Sequence, residues 1–187
     1  DGYNTAVGYE TGTAMTTGVQ NTIMGGKAGD SLTTGSYNVA IGYEALATED
    51  AHGKNVAIGW LALSDQNAGA DAFNIGIGYN AGKTTTTGVR NVLIGGLAGD
   101  ALNTGSYNTA LGYAALSTED AHGKNTAIGY NTLATLNAGA DAFNTAMGYK
   151  AGEAVTTGVE NTLVGAGSGD ALTIGNYNTT LGALFPS

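Results

Sequence analysis

The two histidines, His52 and His122, each lie in a copy of the segment Thr-Glu-Asp-Ala-His-Gly-Lys. Carboxylate and imidazole groups are common metal ligands, so Glu49, Asp50 and His52 could bind a divalent ion, and three chains could bring three copies together. Such a segment is also typical of a polar loop on the outer surface, and we favour this interpretation. We therefore expect no metal and no cofactor.

Three aspartates, Asp30, Asp100 and Asp170, follow glycine-containing segments. This pattern resembles calcium-binding nonapeptide repeats, but these aspartates recur only every 70 residues. We favour a role in stabilising turns. A Ser-His-Asp triad needs a serine and a carboxylate beside one histidine, and here the candidate sets lie in duplicated loops, which is typical of a scaffold. We expect that the protein is not an enzyme.

Aromatic residues recur in two columns, one after a repeated glycine and one before a repeated asparagine. Exposed aromatic rows can stack on the C–H faces of sugar rings, although they can also cover glycines or pack between chains. A thin, filled core leaves no room for a ligand cavity of ~300 Å³, so we expect any receptor contact on the lateral surface. The candidate binding residues are Trp60, Tyr43, Tyr79, Tyr113 and Tyr130.

The composition excludes several classes of partner. Only six residues of the 187 are basic and the net charge is −9, which argues against binding to DNA or RNA. Cysteine is absent, so disulfides and thiolate chemistry are excluded. No apolar run is long enough to span a bilayer, and we expect no direct membrane insertion. Asp1 lies inside the repeat, which indicates a fragment of a longer fibre.

One short box recurs eleven times: Asn, then three mostly apolar or Thr residues, then Gly. Its asparagines are spaced by 17 residues, with a spacing of 19 after every fourth coil. Residues 4–73 and 74–143 form two four-coil units with 44 identities in 70 positions, and 144–187 is a partial third unit. Such periodicity predicts a single solenoid domain over 1–187.

Each box predicts a short β-strand followed by a tight turn, because a period-2 alternation of side chains precedes a glycine. We expect the first and third residues after Asn to face inward and the middle residue, usually Ala, to face outward. Ile58→Asp should then prevent folding. Further core residues are expected at Leu46, Leu63, Leu116 and Leu133. The predicted inward column comprises Val7, Met24, Ile41, Ile58, Ile77, Ile94, Leu111, Ile128, Met147, Val164 and Leu181.

The boxes Asn55-Val56-Ala57-Ile58-Gly59 and Asn125-Thr126-Ala127-Ile128-Gly129 resemble those of YadA-like heads of trimeric autotransporter adhesins. The longer form, residues 33–46, is similar to repeats of phage tail fibres and bacterial surface fibres. The resemblance covers essentially the whole chain. It implies a left-handed parallel β-roll, a trimer and a role in attachment, although the coils here are longer than the adhesin coils.

We therefore expect an all-β parallel β-solenoid of 17–19-residue coils that associates because its core is thin, and the resemblance implies a homotrimer. Its expected role is host-cell attachment through a cell-surface glycan or protein receptor, as part of an extracellular, cell-surface or virion fibre. The alternatives are a purely structural shaft spacer, an ice-binding solenoid and a polysaccharide-cleaving enzyme. The ice-binding alternative depends on a threonine column that we expect to face inward.

Overall fold

The computed structural model describes residues 2–183, and it is a parallel β-solenoid. Eleven three-residue strands form one sheet, in which each strand pairs in parallel with the strand of the next coil. This architecture confirms the predicted fold class. The strands are β1 Thr5–Val7, β2 Thr22–Met24, β3 Val39–Ile41, β4 Val56–Ile58, β5 Ile75–Ile77, β6 Val92–Ile94, β7 Thr109–Leu111, β8 Thr126–Ile128, β9 Thr145–Met147, β10 Thr162–Val164 and β11 Thr179–Leu181.

The coils stack in register, so that equivalent box positions lie beside one another. Val39 pairs with Val56 and Ile41 with Ile58, for example. The longer fourth coil keeps this register because its additional residues lie between Asn67 and Ala72, where positions 69–71 are exposed. The N–H of Ala72 then donates to the carbonyl of Gly53 and restores the contact between coils. Residues 184–187, the end of the third unit, lie outside the described chain.

The strand side that faces the interior is the opposite of the one predicted. The middle residue of β2 to β10 is completely buried wherever it has a side chain, as are Ala57 and Leu93. All eleven residues of the predicted inward column are partly or fully exposed in the single chain: Val7, Met24, Ile41, Ile58, Ile77, Ile94, Leu111, Ile128, Met147, Val164 and Leu181. The prediction was wrong because alternation over three residues permits either orientation.

Small residues face inward because large side chains from the rest of the coil fill the interior. Leu46, Leu63, Leu116 and Leu133 are completely buried, as predicted, and their coils have Ala or Thr at nearby inward positions. Where the strand supplies a large residue, the leucine position becomes glycine. A Cβ added to Gly99, in the same coil as Leu93, would lie 2.8 Å from Cδ2 of that leucine. The coil types thus fill the core from different positions of the coil.

A ladder of asparagine side chains runs along the whole solenoid. Oδ1 of Asn74 accepts a hydrogen bond from the backbone N–H of Asn91 at 2.8 Å, and Nδ2 of Asn74 donates to the carbonyl of Gly88 at 2.7 Å. The bond from each asparagine to the backbone of the next repeats through all ten steps from Asn4 to Asn178. The ladder satisfies buried backbone groups at the same corner of every coil, which explains why an asparagine recurs once in each coil.

Candidate functional site

The outer face of the sheet carries an apolar strip along the rod. The third residue of each strand points outward, and Met24, Leu111 and Met147 are each more than two-fifths exposed. The first residue of each strand also points outward and is partly or fully exposed. It forms the column Thr5, Thr22, Val39, Val56, Ile75, Val92, Thr109, Thr126, Thr145, Thr162 and Thr179. The expectation that this threonine column faces inward was therefore wrong.

The predicted binding residues form stacks on the surface beside this strip. The ring of Trp60 is stacked between those of Tyr43 and Tyr79, at centroid distances of 6.3 and 5.1 Å. Tyr130 is likewise stacked between Tyr113 and Tyr149, at 5.7 and 5.4 Å. All these residues are exposed, Trp60 by 44%. Tyr149 completes the second stack, although it was not among the predicted candidates.

The stacking limits which aromatic surfaces are free for a ligand. Within a stack the ring planes are within 18° of parallel, so the faces cover one another and the edges point to solvent. Gly26 and Gly96 take the ring position in the coil that precedes each stack. The rings of Tyr43 and Tyr113 lie over these glycines. A Cβ added to Gly26 would be 3.4 Å from Cδ2 of Tyr43, and one added to Gly96 would be 3.3 Å from Cδ2 of Tyr113.

In the middle of the solenoid, the second aromatic column alternates with the cations Lys54, Arg90 and Lys124. Nζ of Lys54 lies 5.1 Å from the ring centroid of Phe73, and the guanidinium carbon of Arg90 lies 5.4 Å from that of Tyr107. Nζ of Lys54 also donates a hydrogen bond to Oδ2 of Asp71 at 2.5 Å, and this bond lowers the pKa of the Asp71 carboxyl. The column therefore consists of cation–π and ion pairs that link successive coils.

The Glu-Asp-His segment is brought together by the fold. Glu49, Asp50 and His52 each place a potential ligand atom within 4.8 Å of the others, and the copy Glu119, Asp120 and His122 does the same. The glutamates are completely buried, however, so the interpretation as a wholly outer loop was wrong for them. Each glutamate braces its own turn by accepting the backbone N–H of the histidine three residues later, at 3.0 and 3.1 Å.

Glu119 shows how the buried carboxylate also links coils. Its Oε2 accepts a hydrogen bond from the backbone N–H of Ala138 in the next coil, at 3.2 Å. Nδ1 of His122 lies 3.6 Å from its Oε1, which is an ion-pair distance if the imidazole is protonated. These contacts indicate that the segment stabilises its own turn and links neighbouring coils.

The three aspartates that follow glycine segments do not form a common site. Asp30, Asp100 and Asp170 lie in the coils of β2, β6 and β10, each separated from the next by four coils. Burial raises the pKa of the Asp100 carboxyl.

A groove of about 520 Å³ opens on the lateral surface beside Tyr149. Its lining includes Thr135, Lys150, Glu153, Gly167 and Asp170. This groove does not contradict the expectation that the filled core has no room for a ligand cavity. The expectation considered only the interior, whereas this groove lies between side chains on the outer surface.

Within residues 2–183, no helix has the length and apolar character needed to cross a membrane. Comparison of the chain with protein-family models, with curated proteins and with solved structures found no match in any of the three.

Proposed function

We propose that the chain is a structural and adhesive segment of a trimeric surface fibre that attaches to host cells. The observation that carries this proposal is the continuous apolar strip on the outer face of the sheet, which has no partner among residues 2–183 of the single chain. Contiguous exposed apolar surface of this length is typical of an interface between proteins.

A second and third copy of the chain would cover this strip. The coils of all copies have the same spacing of ~4.8 Å, so two rods placed side by side present matching rows of Ile, Leu, Met and Val over roughly 48 Å. Removing these side chains from water would stabilise the assembly by ~25 cal/mol per Å² of apolar surface. The number of copies, three, rests on the resemblance of the boxes to those of trimeric fibres.

The assembly can be tested by light scattering coupled to gel filtration. We expect a mass three times the 18.5 kDa of the chain at micromolar concentration. Ile58→Asp should dissociate the assembly, because it places a charge in the strip. Thr17→Asp adds the same charge at an exposed position outside the sheet and should leave the mass unchanged. A folded wild-type monomer would contradict the proposed trimer.

The aromatic stacks support the adhesive part of the proposal. They lie beside the strip, they expose the edges of large rings, and trimerisation would present each stack three times. Weak contacts repeated in this way gain strength through effective concentration. The expected partner is a cell-surface glycan or a protein receptor, and the expected location is a cell surface or a virion fibre.

Cell and glycan-array binding by the wild type, Trp60→Ala and Tyr37→Ala would test attachment. Trp60 is the centre of the first stack, so its loss should weaken binding, whereas Tyr37 belongs to the other column and serves as the control. If the wild type binds nothing, or if all three proteins bind alike, the segment is a shaft spacer.

One observation favours ice binding as a second candidate function. The threonine column, with Thr109, Thr126, Thr145, Thr162 and Thr179 in succession, lies on the exposed flat face of the sheet. A regular array of hydroxyl and methyl groups on such a face could order water. This function needs the same face to be free, so it is an alternative to the trimer. A thermal-hysteresis assay on the protein, alongside its measured mass, separates the two.

A further inference from the structure

One residue that differs between the repeat units lines the groove beside Tyr149. Gly167 occupies the position that Lys27 and Leu97 hold in the first two units. All three residues have the left-handed backbone conformation, with φ of 65°, 57° and 59°. The backbone is therefore equivalent, and the missing side chain of Gly167 leaves space at this point of the surface.

The groove contains one end of an aromatic stack. Tyr130 covers one face of the Tyr149 ring, with the planes 11° apart. In the next coil the corresponding position is Ala166, so the stack ends there and the opposite face of Tyr149 lies on the side of the groove. Tyr149 is 57% exposed. A flat ligand with an apolar face can therefore stack on this ring without displacing another aromatic residue.

Polar groups surround the ring at fixed positions. Nζ of Lys150 lies 3.1 Å from Oε2 of Glu153, and Asn131 donates a hydrogen bond to Oε1 of the same carboxylate at 3.1 Å. The hydrogen bond to Glu153 raises the pKa of the Lys150 ammonium. Asp170, on the far side of the groove, is exposed. The site thus presents an ammonium and two carboxylates, and its net charge is negative.

We propose that this groove binds a neutral hexopyranose ring of a glycan, with the C–H face of the sugar on Tyr149 and its hydroxyls on Lys150, Glu153 and Asp170. The inference rests on the proposed attachment function and places one contact of that function at a defined site. Pyranoses combine an apolar face with a rim of hydroxyl donors and acceptors, and the groove offers the complement of both. Two carboxylates against one ammonium disfavour acidic sugars.

The test is saturation-transfer NMR with the methyl glycosides of common neutral hexoses, and with an acidic sugar for comparison. Gly167→Leu places in the groove the side chain that Leu97 has in the second unit, at an equivalent φ, so the fold should be retained and the signal lost. Tyr149→Ala should weaken binding by roughly tenfold. Tyr37→Ala, an exposed residue that belongs to neither aromatic stack, should leave this signal unchanged.

Unaltered sugar binding by Gly167→Leu would overturn the groove assignment, and would leave the attachment function in place with its contact elsewhere. A wild type that transfers no saturation to any neutral hexose at millimolar concentrations would also overturn it. Stronger signals from the acidic sugar would reject the neutral class. A failure of the proposed function is recognised separately, because the intact protein would then bind neither cells nor glycan arrays.

Discussion

Ala57 and Ile58 are neighbours in β4, yet Ala57 is completely buried within the coil and Ile58 is partly exposed on the outer face. The two positions should therefore respond differently to the same substitution. Ala57→Asp should prevent folding, because it buries a charge without a partner. Ile58→Asp should leave the coils intact, costing the single chain less than about 1 kcal/mol, but should disrupt self-association.

Circular dichroism and light scattering on both variants distinguish these outcomes. Native β signal in Ala57→Asp would show that the inward side has been assigned incorrectly. Loss of β signal in both variants would instead indicate that the coils fold only when the outer strip is covered.

The coil architecture could be predicted from sequence because the ladder places one asparagine at the same corner of every coil. The 19-residue coil keeps the ladder, since the N–H of Asn74 still donates to Oδ1 of Asn55. The orientation of the strands could not be predicted in the same way. Three residues contain a single alternation, so side-chain size alone predicts that Ile58, and not Ala57, faces inward. Leu63, from another wall of the coil, fills the interior, so the small Ala57 faces inward instead.

The candidate site was predictable only in part. The aromatic column was visible in the sequence, but its division into two stacks depends on Gly26, Gly96 and Ala166, which interrupt the ring positions. The groove was missed although a signal existed. Gly167 differs from Lys27 and Leu97 at an aligned position, and a loss of side-chain volume at one repeat marks a local depression in an otherwise regular surface.

The box glycines should be intolerant of side chains, and Gly59 provides the test. Its φ is 138°, and an added Cβ would overlap the backbone carbonyl of Gly78 in the next coil. Gly59→Val should therefore destabilise the protein by at least about 3 kcal/mol. The measurement is urea denaturation followed by circular dichroism.

Gly69→Val is the matched control, because an added Cβ there meets nothing within 4 Å. We expect its free energy of unfolding to change by less than about 1 kcal/mol. Equal effects of the two substitutions would mean that the close stacking of the box glycines is not a constraint.

Thr85 should be replaceable by valine with a gain in stability. Its side chain is completely buried and its hydroxyl has no hydrogen-bond partner. The corresponding position of the third unit is Val155, which is also completely buried. Thr85→Val keeps the shape and removes the unsatisfied group, so the free energy of unfolding should rise by about 1–2 kcal/mol.

The reverse substitution, Val155→Thr, should lower the free energy of unfolding by a similar amount. Both changes are measured by urea denaturation. If Thr85→Val is destabilising, the hydroxyl of Thr85 must have a polar partner, such as a buried water molecule.

Glu49 should make the stability of the protein depend on pH. Burial raises the pKa of this carboxyl above its usual range, an effect that the hydrogen bond from the His52 N–H partly opposes. Because the folded pKa exceeds the unfolded value of about 4.3, folding favours the protonated form. This stabilisation is complete below the unfolded pKa and is lost as the pH rises through the raised folded pKa.

Glu49→Gln stays neutral and retains an oxygen that can accept the His52 N–H. Its melting temperature relative to the wild type should therefore increase between about pH 4 and pH 8. Scanning calorimetry of both proteins across this range is the measurement, and contributions from other carboxylates, such as Asp71, cancel in the difference. A difference that stays constant with pH would show that the Glu49 carboxyl titrates alike in the folded and unfolded chains.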